Sequence, residues 1–151
     1  MSRRTVSIVV VVVILGIQLI PVDREGAPPA QPLQAPAEVM GVLERSCYDC
    51  HSAETTWPWY GYVAPVSWYV AHDVAEAREH LDFSRWGLLS APEQAKLQQE
   101  IVEEVDEGEM PLPQYLRLHA EARVTPSDRE ILRRWAGTSA GGGSHERAHD
   151  H

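Results

Sequence analysis

The apolar residues of the chain fall into one long block and four periodic segments. The block runs from Val6 to Val22, broken only by Ser7, Gln18 and Pro21, and follows Arg3 and Arg4. Its residues show no helical amphipathicity, and most are β-branched, so they do not read as a core helix. The periodic segments follow later. In "AEVMGVLERSC" the positions Val39, Val42, Leu43 and Cys47 share one helical face. In "VSWYVAHDVAEAREHL" the stripe is Val66, Val70, Val74, Ala77 and Leu81, with Pro65 at the start, where a missing N–H costs nothing. In "SAPEQAKLQQEIVEEVDEG" Ser90 and Glu93 form a capping box, Gly108 suits the left-handed stop, and Leu97, Ile101 and Val105 face inward. In "TPSDREILRRWA" Thr125 caps, Pro126 opens the helix, and Ile131, Leu132 and Trp135 make the buried face. No segment alternates as a strand does, so the pattern predicts a small all-α domain with long connections.

The pattern also divides the chain. Residues 1–22 read as a membrane anchor or signal segment. The run is close to the about 20 residues that span a bilayer, and the two arginines favour the cytoplasmic side. This predicts an N-terminal anchor in a bacterial inner membrane, with the domain in the periplasm or outside. Cleavage of the segment, leaving a soluble periplasmic protein, is the alternative. Residues 23–36 read as an extended Pro-rich linker: five of the chain's eleven prolines lie between Pro21 and Pro36. Residues 37–136 are the working domain. Residues 137–151, "GTSAGGGSHERAHDH", read as a disordered tail.

Charge narrows the partners. The formal net charge is −9. A nucleic-acid surface needs the opposite sign. The carboxylates Glu100, Glu103, Glu104, Asp106, Glu107 and Glu109 crowd one segment and suit a basic docking face on a partner protein.

Candidate chemistry centres on "CYDCH", residues 47–51, which holds both cysteines of the chain. A structural zinc site needs four ligands, and no second Cys or His pair is present. A thioredoxin-like dithiol needs a βαβ setting and a cysteine at a helix N-terminus, whereas these cysteines close a helix. A plain disulfide leaves the histidine unexplained. Haem attachment accounts for every part: two thiols spaced for the two vinyl groups, then a histidine placed as axial ligand of the iron. For the sixth position, "EGEMPLPQY" offers Met110, held by Pro111 and Pro113 in a stiff loop beyond Gly108. The rival ligands are His80 and His119; His72 is expected to face solvent. Aromatic rings suit the walls of a flat apolar cofactor, and Trp57, Trp59, Tyr60 and Trp68 cluster just after the motif.

The motif, followed in order by "ETTWPWY", "PVSW", "REHLDFS" and "GEMPLPQY", resembles the bacterial haem-binding domain family over residues 38–136. Members are small, membrane-anchored or secreted single-haem proteins related to cytochromes c. The resemblance implies a cytochrome c-like helical domain wrapped around one covalent haem c on Cys47 and Cys50, with His51 as the proximal ligand and Met110 as the distal one. An electron carrier, not an enzyme, is the expected function. A haem-based sensor or peroxidase with an open sixth position is the alternative, with His80 as its acid–base residue.

Overall fold

The computed structural model describes residues 2–141; from residue 142 on, the Gly/His tail lies outside the described residues. Those residues form seven α-helices, three short 3-10 turns and no strand, in keeping with an all-α chain. The first helix, α1, covers Arg3–Ile17, and its apolar side chains stay exposed, from Val6 at 45% to Leu15 at 63%. Its 15 residues span about 22 Å at ~1.5 Å per residue, against an apolar bilayer core of ~30 Å. The apolar block therefore does not make a spanning helix, and the inner-membrane anchor expected over residues 1–22 is corrected. Among the described residues no helix is long and apolar enough to cross a membrane. The physical reason lies at Gln18. Its amide turns back to the domain, donating to the Ala64 carbonyl at 3.1 Å and accepting from the Ala64 N–H at 3.0 Å.

The Pro-rich stretch is a second correction. It is extended, but it is bound to the domain and is not a free stalk. The Leu33 N–H donates to the Phe83 carbonyl at 2.8 Å, and the Ala30 N–H to that of Ser84 at 2.9 Å. Leu33 is buried to 2% exposure in the main core. Arg24 donates to the Gly61 carbonyl at 3.0 Å and lies over the Tyr62 ring.

Helix α2 (Ala37–Ser46) buries Val39, Val42 and Leu43. It passes at Cys47 into one further turn, α3 (Tyr48–His51). Helix α4 (Val66–His80) buries only Val74 of its expected stripe, and Val66 is 44% exposed. Helix α5 (Ala91–Glu107) starts at Ser90, whose N–H donates to Glu93 at 2.8 Å, and stops at Gly108, whose φ of 81° is left-handed. Helix α6 (Pro113–Leu116) is one turn. Helix α7 (Pro126–Gly141) continues past residue 136, where the apolar pattern stops. Thr125 and Asp128 cap it reciprocally: Asp128 accepts from the Thr125 N–H at 2.8 Å, and the Asp128 N–H donates to the Thr125 hydroxyl at 3.2 Å.

The core is a column of rings between these helices. Tyr48 stacks on Phe83 at 5.3 Å, Phe83 meets Trp86 at 6.1 Å, and Trp86 meets Trp135 at 5.9 Å. Phe83 and Trp86 come from the 3-10 turn Phe83–Leu88, which no helical period in the sequence marks. Each fully buried side chain of this size contributes ~1.5–3 kcal/mol through lost apolar exposure. The column fixes α3, because Tyr48 is its first ring.

Candidate functional site

On a helical turn, positions i, i+3 and i+4 share a face. Cys47, Cys50 and His51 have this spacing, so packing Tyr48 into the core turns those three the other way. All three line a cavity of about 840 Å³ between α3, α4, α5 and the segment after α5. That volume is in the range of ligand clefts, ~300–1,000 Å³. Phe83, Leu97, Ile101 and Val105 form its apolar wall, and Met110, Pro111 and Leu112 also face it.

His51 is held from behind. Its Nδ1 lies 3.0 Å from the Leu81 carbonyl and 3.1 Å from the Ala77 carbonyl, both at the end of α4. Carbonyls only accept, so the proton resides on Nδ1 and the lone pair on Nε2. Burial lowers the imidazole pKa, only partly offset by these two bonds, so the ring is neutral near pH 7. A neutral imidazole with a fixed tautomer is the state that ligates a metal.

The two thiols are free and partly buried. Burial, with the Cys50 charge second, pushes Cys47 up to about 12. Burial, with the Asp49 and Asp73 charges next, pushes Cys50 up to about 11. A dithiol oxidoreductase needs the opposite shift. Among the described residues no group of three His, Cys, Asp or Glu is placed to hold a metal ion. The donor set facing the cavity is thus two protonated thiols and one neutral imidazole, which suits an apolar cofactor that brings its own metal.

The Met110 segment reaches the cavity because Gly108 ends α5 in the left-handed region. The Glu109 and Met110 N–H groups both donate to the Glu104 carbonyl, at 3.0 and 3.2 Å. The Met110–Pro111 peptide is cis. Five residues on, the Tyr115 hydroxyl donates to the Asp49 carboxylate at 2.7 Å. His119 does not line the cavity: its ring stacks on Tyr115 at 4.2 Å, and its Nε2 pairs with the Tyr60 hydroxyl at 2.8 Å. His80 lines the cavity rim at the end of α4. His72 is exposed on α4, 3.8 Å from Glu76.

The four aromatics expected around a cofactor do not line this cavity. Trp57 lines a second cavity of about 440 Å³. Trp59 is 79% exposed, and Tyr60 is taken by His119. Trp68 sits on α4 with its indole N–H buried and unpartnered. Rings crowded in sequence carry no information about direction. The lining that sequence reasoning missed is Phe83, Tyr115 and Asp49, together with Asp73 and Glu76, which share one face of α4 with Tyr69. Only the helical spacing of the last three was a usable signal. The rim is acidic, with Glu100, Glu103, Glu104 and Glu107 of α5 facing Asp73 and Glu76, and no Lys or Arg lines the cavity.

The family model described as "Haem-binding domain" matches residues 12–138. The match begins well before α2 and includes the buried Leu33. No curated protein matches the chain, and no solved structure does.

Proposed function

The chain belongs to the haem-binding domain family, and from that premise we propose that it is a c-type cytochrome-like electron carrier. In this reading Cys47 and Cys50 would hold one haem through thioethers, and His51 and Met110 would ligate its iron. The observation that carries it is the convergence of all four residues on one cavity. The haem iron, when bound, supplies a one-electron ferric–ferrous couple, whose potential a thioether ligand raises.

The chain's own groups serve that couple. Leu81 and Ala77 fix the His51 ring, so the ligand need not move when the charge changes. Phe83, Leu97, Ile101 and Val105 exclude water from the cavity wall. The carboxylates of α4 and α5 attract a redox partner with a basic docking face and repel nucleic acid.

The sensor or peroxidase reading needs an acid–base residue across the cofactor from the proximal ligand. His80 is the candidate, but it is the last residue of α4, beside the carbonyls that hold His51. That position favours the electron-carrier reading.

The test uses the purified, haem-loaded protein. Its mass after denaturation should include one haem. The oxidised form should show the weak sulfur–iron charge-transfer band at the red end of the spectrum. Met110→Ala should lose that band and bind carbon monoxide at once. If the wild type binds carbon monoxide at once and matches Met110→Ala, the sixth position is open and the sensor or peroxidase reading replaces this one.

A further inference from the structure

Asp49 is one of the two residues between the cysteines, and both of its carboxylate oxygens are engaged. Oδ1 accepts the Thr56 N–H at 2.9 Å, and Oδ2 accepts the Tyr115 hydroxyl at 2.7 Å. The Asp49 carbonyl also accepts the Thr55 hydroxyl at 2.7 Å, and Thr55 is tied to Arg78 of α4 at 2.7 Å. Asp49 is therefore anchored to the scaffold on one side, and its second oxygen reaches across to the segment that carries Met110.

That segment has little else to hold it. Pro113, Gln114, Arg117 and Leu118 are exposed, Leu118 to 67%. Its start hangs on the Glu104 carbonyl, and α6 is a single turn. Beyond Met110, its side-chain hydrogen bonds to the body of the domain are Tyr115 to Asp49 and His119 to Tyr60. The two are coupled, because the Tyr115 and His119 rings lie nearly parallel, 9° apart. Burial and the Asp49 charge keep the Tyr115 phenol protonated, so it remains a donor.

We infer that Asp49 and Tyr115 are positioning residues: a clamp between the haem-attachment turn and the Met110 segment that sets how firmly the distal ligand is held. The inference rests on the reading of Met110 as that ligand. Through it, one residue inside the attachment motif governs both faces of the site. It places the thiols through α3 and restrains the sixth ligand through Tyr115.

The test compares wild type, Tyr115→Phe, Asp49→Ala, Asp49→Asn and the Asp49→Ala/Tyr115→Phe double variant, all haem-loaded. Tyr115→Phe keeps the ring on His119 and removes only the donor. Cyanide affinity of the ferric form should rise on the order of 10- to 100-fold, as loss of one hydrogen bond to a charged acceptor allows. The sulfur–iron band should also be lost at lower temperature, while haem stays covalent and helix content is unchanged. Asp49→Ala, which also frees the Thr56 N–H, should raise the cyanide affinity at least as far, and the double variant should match Asp49→Ala, because the Tyr115 hydroxyl acts only through Asp49. Asp49→Asn, which keeps an acceptor, should fall in between. If the band is present in wild type and absent in Met110→Ala, but Tyr115→Phe binds cyanide as wild type does, the clamp is wrong and the ligation stands. If wild type lacks the band, the ligation reading fails and the clamp fails with it.

Discussion

The imidazole Nδ1 of His51 lies 3.0 Å from the carbonyl of Leu81, the residue that caps the end of α4. A helix ends with unpaired carbonyls and partial negative charge, so it accepts a buried imidazole proton well. The imidazole proposed as the proximal ligand is therefore oriented by a helix terminus that no side-chain substitution removes. This bears on how the site responds to loss of the ligand itself.

His51→Gly should open a space whose back wall still presents the Ala77 and Leu81 carbonyls. Free imidazole should enter it, donate to those carbonyls and restore the six-coordinate spectrum of the loaded protein. Titration with imidazole followed by absorbance checks this. A variant whose spectrum ignores imidazole would mean that the carbonyls do not hold the ring.

Leu33 should behave as a core residue despite its Pro-rich surroundings. Leu33→Ala should cost ~2–5 kcal/mol, as large-to-small core changes do, and Gln34→Ala, one exposed residue on, should cost almost nothing. Urea unfolding followed by circular dichroism measures both. Equal midpoints for wild type and Leu33→Ala would return residues 23–36 to the role of a loose linker.

Leu33 also marks where the sequence stopped being readable. Helices α5 and α7 were legible because their signals are local: Ser90 with Glu93, Gly108, and Thr125 before Pro126. The turn Phe83–Leu88 is too short for any period, yet it supplies Phe83, among the most buried residues. Leu33 lies between prolines with no periodic apolar pattern around it, and the segment pairs its backbone with Phe83 and Ser84. On α4 the expected stripe failed because one face lines the cavity. At the site, CYDCH and Met110 could be named from residue type and spacing. The Tyr115–Asp49 bond joins positions 66 apart with no pattern between them.

Asp128 sets a pH dependence. Burial would raise its pKa, but the Thr125 bonds and the Arg45 guanidinium at 2.7 Å outweigh that and hold it below the usual carboxylate range. A depressed folded value means that its stabilisation is complete above the unfolded pKa of ~3.9 and is lost as pH falls through the folded value. Asp128→Ala should cost ~0.5–2 kcal/mol near neutrality, mostly through the lost cap, since the partly exposed ion pair adds little. The gap between variant and wild type should close as the pH falls below the unfolded value of ~3.9. Urea midpoints at several pH values test this, and a gap that widens in acid would reverse the sign.

The two thiols predict how the chain can be loaded. In the folded chain Cys47 is pushed up to about 12 and Cys50 to about 11, each chiefly by burial. An unfolded cysteine sits near 8.5, so at about pH 8 the folded Cys50 holds roughly 100-fold less thiolate and Cys47 less again. Iodoacetamide should therefore modify the folded chain on the order of 100-fold more slowly than the urea-unfolded chain, Cys50 ahead of Cys47, as peptide mass spectrometry would show. In the proposed covalent attachment, addition of the thiols to haem vinyl groups would draw on the same exposed, reactive sulfur. Attachment should then be efficient on the unfolded chain and slow on the folded one, so that thioether formation precedes packing of Tyr48 onto Phe83. Equal alkylation rates in the folded and unfolded chains would remove the basis for that order of events.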